Sequence, residues 1–185
     1  MTEYIALLRG INVGGHRVPM ERLRALFGAL GYRDVWTFIA SGNVGFTAPT
    51  GAPEEVARTI EAHLRDALGY DVPAFLRTPT ELRSLLEDLP PSPEAWDPDA
   101  ASHYVLFLDG PPPDALRAAL SELQSEVDRF TVEGREVHWW TRGRLSDSPL
   151  FGAGLERVTR GIRVTSRNVT SLRRLMARQA GRGAG

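Results

Sequence analysis

The chain has 185 residues, 42% hydrophobic and 24% charged, with a formal net charge of -1. That length allows one or two domains, and the composition excludes a disordered or fibrous chain. There is no cysteine, which excludes disulfides, thiol nucleophiles and cysteine-ligated metal centres. The basic side chains are all arginine and unevenly spread. Residues 1–49 carry five Arg against three acids, residues 50–134 six against seventeen, and residues 135–185 eleven against three. The opening residues lack the basic leader of a signal peptide, and no apolar run approaches the roughly 20 residues of a membrane helix. A cytoplasmic protein without a membrane span is expected.

Residues 3–9 form an apolar run ended by Gly10 and read as a buried strand. From Pro19 the period changes to that of a helix: Met20, Leu23, Phe27 and Leu30 share a face, and Gly31 suits a left-handed cap. Residues 35–39 and 43–47 read as strands joined by the turn Ala40-Ser41-Gly42. A helix from Pro53 carries Val56, Ile60, Leu64 and Leu68 inward and stops at Gly69, and residues 72–76 read as the next strand. The helix stop Ala29-Leu30-Gly31-Tyr32 recurs as Ala67-Leu68-Gly69-Tyr70, as two strand–helix–strand units would require. This order is the ferredoxin-like split β-α-β pattern.

Thr78-Pro79-Thr80-Glu81 has the form of a capping box and opens a helix presenting Leu82, Leu85, Leu86 and Leu89. The proline-rich stretch 90–100 reads as a linker. Beyond it the order repeats: a strand at 103–108, a helix at 113–124, strands at 127–132 and 136–140, a glycine-loosened helix at 149–159, a strand at 162–164 and a last helix at about 168–179. The expectation is an α+β protein of two tandem ferredoxin-like domains with antiparallel sheets. The first covers 1–89 with its following helix, the second 101–180 with the final helix, and 181–185 form a disordered tail.

In that topology the third strand fills the gap between the first two and runs antiparallel to the first. The end of strand one then lies beside the start of strand three, and two distant segments share one rim: Arg9-Gly10-Ile11-Asn12-Val13-Gly14-Gly15 and Ser41-Gly42-Asn43. A glycine-bearing loop can aim backbone N–H groups at an anion, helped by a following helix dipole. Arg9, His16 and Arg17 add charge, while Asn12, Ser41 and Asn43 add hydrogen-bond donors. The loop lacks both the P-loop ending and the dinucleotide fingerprint. The structural alternative is that Gly14 and Gly15 only permit positive φ and that both asparagines only satisfy turns.

The segments Tyr4 to Gly15, Thr37 to Val44 and Thr165 to Leu175 resemble the bacterial domain-of-unknown-function family 1697 (DUF1697). The resemblance implies tandem ferredoxin-like domains and brings no established activity. Ala40 stands where the family usually has glutamine, Val169 where it has tryptophan, and His16 and Arg17 where a lysine-rich stretch is expected. The third segment places Arg167 and Asn168 at the start of the last helix. Asn168 suits an N-cap, and the functional reading has Arg167 joining Arg9 around an anion.

His16, His63, His103 and His138 lack metal-ligand spacing, so neither a metal nor a cofactor is expected. His138, alternating with Val137 and Trp139, is expected to face solvent or a domain interface. Trp139 and Trp140 with Arg142 and Arg144 form a candidate stacking platform for single-stranded nucleic acid; the alternative puts one tryptophan in the core. The leading functional expectation is a binding module for a small phosphate- or carboxylate-bearing ligand at the first rim. Alternatives are nucleic-acid binding through the Arg-rich C-terminal quarter and a protein–protein interaction module. No residue selects an enzymatic reaction.

Overall fold

The computed structural model describes residues 1–185 except 13, 41, 95 and 183–185. Its contacts divide the chain into two units, residues 1–85 with 174–185, and residues 86–173. The first unit is built from β1 (Thr2–Leu8), α1 (Met20–Ala29), β2 (Arg33–Phe38), β3 (Asn43–Ala48), α2 (Pro53–Leu68), β4 (Ala74–Arg77) and α3 (Pro79–Glu87) as far as Leu85. Its four-stranded sheet has the order β2-β3-β1-β4 with antiparallel neighbours throughout.

The local chemistry explains these elements. Tyr4, Ala6 and Leu8 alternate along β1 into a cluster with Leu23 and Phe27 of α1 and Val56, Ile60 and Leu64 of α2. Pro53 supplies the first turn of α2, Glu54 and Glu55 face its positive end, and Gly69 at φ +80° closes it with an N–H donated to Arg65 O at 2.8 Å. The capping box is made reciprocally: Glu81 N donates to Thr78 Oγ1 at 3.2 Å, and Thr78 N to Glu81 Oε2 at 2.7 Å.

The second unit contains β5 (Ala101–Leu108), α4 (Asp114–Glu122), β6 (Asp128–Glu133), β7 (Glu136–Arg142), α5 (Ala153–Val158) and β8 (Val164–Asn168). Its sheet order is β6-β7-β5-β8, again antiparallel. Leu106, Leu108, Phe130, Val137 and Trp139 pack there against Leu116 and Leu120 of α4. The last helix, α6 (Val169–Arg182), follows β8 directly, and its residues from Arg174 onward belong with the first unit. Short 3₁₀ turns occupy Pro98–Ala100 and Leu145–Asp147.

Three expectations are corrected. The strand expected at 72–76 begins only at Ala74, because Pro73 has no N–H for the ladder and contributes only its carbonyl, to Arg9 N at 2.9 Å. The strand expected at 162–164 is β8, Val164–Asn168, which pairs along β5 from Leu108 to Tyr104. The helix continues through Arg182, so 181 and 182 are ordered helix; the rest of the expected tail lies outside the described residues.

Candidate functional site

The register Leu7↔Asn43 sets the end of β1 beside the start of β3. Two further ties join the flanking turns. Leu8 N donates to Gly42 O at 2.8 Å, and Asn12 Nδ2 donates to Ala40 O at 2.7 Å. Asn12 Oδ1 accepts Val18 N at 2.7 Å, so one amide closes the 12–18 loop on itself and fastens it to the neighbouring turn. Asn43 is buried and donates Nδ2 to Phe38 O at 3.2 Å, across the foot of the β2–β3 hairpin. Both amides are thus engaged with main chain. Ser41 lies outside the described residues.

Around this braced corner the loop is cationic and open. Arg9, Gly14, Gly15, His16 and Arg17 are all exposed. Gly14 at φ +62° and Gly15 at φ +90° occupy backbone conformations that disfavour side chains, with open space where a Cβ would be. Arg9 and Arg17 make no ion pair among the described residues. The His16 ring stacks on Tyr70 at a 3.8 Å centroid separation and 22°, and the Tyr70 hydroxyl donates to Ile11 O at 3.3 Å. Tyr70 was not singled out in the sequence: its contact with His16 spans 54 positions, and the only signal was its place after the repeated helix stop. The helix that follows the loop, α1, begins at Met20 with Pro19 as its N-cap residue.

Arg167 and Asn168 belong to the second unit. Arg167 is buried at the end of β8, with Nη1 donating to Thr165 Oγ1 at 2.9 Å and to Ser166 O at 2.8 Å. Burial pushes its guanidinium down to about 10. Asn168 Oδ1 accepts Thr170 N at 2.8 Å, the bond of an N-cap.

The second sheet holds polar groups whose setting the sequence did not reveal. His138, expected to face solvent or a domain interface, is buried; its Nδ1 lies 3.1 Å from His103 Nε2 and its Nε2 3.5 Å from Glu133 Oε2. The same alternation puts Trp139 in the core, while the half-buried Trp140 stacks on the His103 ring at 4.0 Å. The buried Asp128 carboxylate accepts Trp139 Nε1 at 2.7 Å and Ser148 Oγ at 2.9 Å, which ties β6 to β7 and to the following loop. Among the described residues no group of three or more His, Asp or Glu could hold a metal ion, and no helix is long and apolar enough to cross a membrane.

Among the described residues the chain is therefore an α+β protein with two four-stranded antiparallel sheets, six helices and a cationic glycine-bearing loop at one corner of the first sheet. The family model for a protein of unknown function (DUF1697) matches residues 1–138, and the chain belongs to that family. A solved structure, a conserved bacterial protein from Streptococcus pneumoniae, is similar over 95% of this chain and 97% of that one, at 24% identity and a TM-score of 0.70, which shows a shared fold. No curated protein matches.

Proposed function

We propose that the chain is a binding module for a small phosphate- or carboxylate-bearing ligand, seated on the loop that follows β1. The observation that carries this reading is that Arg9 and Arg17 stand exposed with no carboxylate partner among the described residues, in a stretch with no acidic residue between Glu3 and Glu21. Two uncompensated guanidinium groups and a histidine flank glycines that let a ligand approach the main chain. Asn12 and Asn43 serve as struts that hold this loop against the β2–β3 turn, rather than as the principal ligand contacts. The buried guanidinium of Arg167 donates to Thr165 Oγ1 and Ser166 O in its own strand, and the proposal leaves it out of the site.

We read both units as ferredoxin-like, on the strand order that each sheet repeats and on the paired helix of each. A cytoplasmic setting, where phosphorylated metabolites are abundant, fits the proposal.

Thermal shift against inorganic phosphate, citrate and nucleotides tests the function. An anion present at 100 times its Kd stabilises by about 2.7 kcal/mol, a rise of several degrees for a chain of this size. That rise should vanish in Arg9→Ala/Arg17→Ala. If no anion stabilises the chain, or if the double variant responds as the native chain does, the loop is not an anion site.

A further inference from the structure

At the other end of β1, about 20 Å along the strand from Arg9, the first unit has a cavity with two acidic residues in its lining. The cavity, of about 220 Å³, is lined by Glu3, Asp34, Trp36, Thr47, Gln179 and Arg182, among others. Trp36 lies across Gly45, where a Cβ would come within 2.1 Å of the indole, so the ring is held flat on the sheet. A bulge between Arg33 and Trp36, with Asp34 at φ +54°, carries the Asp34 carboxylate to the cavity edge.

Glu3 and Asp34 stand exposed at its rim. Glu3 accepts only a long hydrogen bond from Gln179 Nε2, at 3.3 Å, and Asp34 accepts from Thr47 Oγ1 at 3.3 Å. Each carboxylate is therefore met by a neutral donor and by no cation. Trp36 itself is buried, one face against Gly45. Arg182, the one cation among the lining residues, sits 5.6 Å from the Trp36 ring centroid and, among the described residues, pairs with neither acid. That distance is the outer edge of a cation–π contact.

We propose that this cavity binds a small organic cation of the guanidinium class, stacked on Trp36 between Glu3 and Asp34, and that Arg182 is its weak resident occupant. A planar cation satisfies the ring and both carboxylates together, which a tethered side chain at 5.6 Å does not. The volume is below that of a drug-sized pocket, so the recognised group is a side-chain-sized cation.

The test is an NMR titration of the whole chain with methylguanidinium, using methylurea as the neutral isostere. The readout is the indole N–H signal of Trp36, assigned by its loss in Trp36→Phe; should that variant not fold, the Gly45 amide beneath the ring serves instead. The expected result is a saturable shift in the millimolar range, at least fivefold weaker binding in Glu3→Gln/Asp34→Asn, and no response to methylurea. Arg182→Ala should bind about threefold more tightly. A missing or non-saturating shift, an equal response to methylurea, or unchanged affinity in the acid double variant overturns the site. Unchanged or weaker binding in Arg182→Ala overturns the role of Arg182 as occupant.

Discussion

Single side chains brace the corner on which the candidate anion site rests. Asn12 holds the N–H of the buried Val18 and the exposed carbonyl of Ala40, so Asn12→Ala orphans that N–H and returns the carbonyl to water, and should cost about 2 kcal/mol in denaturant unfolding. Asn12→Asp keeps the acceptor for Val18 N but loses the donor to Ala40 O, and should fall between the two. Gly42 is constrained twice: its φ is +78°, and a Cβ would stand 2.7 Å from Ile11 Cγ2 and 3.0 Å from Leu8 Cβ. Gly42→Ala should therefore cost about 3 kcal/mol, from backbone strain and overpacking together. Gly14→Ala meets open space and should lose only the strain part, about 1 kcal/mol. The glycines and charges of this loop were legible in the sequence because they are local. The engagement of both asparagine amides with main chain was not, since Asn12 meets Ala40 across 28 positions.

Whole elements were legible where one face is apolar and the ends are marked. In α2, Val56, Ile60 and Leu64 recur at helical spacing between Pro53 and Gly69, and the helix occupies that span. In β8, by contrast, the inward positions include Thr165 and Arg167, so the alternation carries no apolar signal and the strand reads as a helix approach. In β5 and β7 both faces are covered, which is why His103 and His138 are buried where alternation suggests a polar face. That pairing predicts a pH response. The Nε2–H of His103 can donate to the bare Nδ1 of His138, whose own Nε2–H points at Glu133, so the pair is satisfied with both rings neutral. Burial lowers His103 to about 3, with His138 and Arg173 adding repulsion, and burial also lowers His138 against the opposing pull of Glu136. The unfolded chain takes up protons near pH 6.5 while the folded one does not, so below that value the unfolded state binds more protons. Stability should be flat above about pH 7, fall as the pH drops below about 6.5, and keep falling towards the folded value of His103. Urea midpoints at pH 7.5, 6 and 5 measure this; His103→Gln, which keeps a donor but cannot titrate, should flatten the dependence.

Across the whole molecule, the path of the chain matters more than the order of its domains in sequence. The chain leaves the first unit after Leu85 and returns to it from Arg174. The returning stretch buries Leu175 and Met176 and supplies Gln179 to Glu3 and Arg182 to Trp36. A fragment ending near residue 89 therefore lacks part of the first unit, even though it contains all four strands of that sheet. Burying a leucine and a methionine stabilises by about 1.5–3 kcal/mol each, far more than the exposed polar contacts contribute. A chain cut after Arg173 should thus lose roughly 4 kcal/mol, lowering Tm by about 10 °C, and Trp36 emission should shift to longer wavelength as its cover is removed. Leu175→Ala/Met176→Ala in the full chain should reproduce most of the loss in Tm without the emission shift, because Arg182 still reaches the ring. If the cut chain keeps the native Tm, the C-terminal stretch is an appendage and the first unit closes without it.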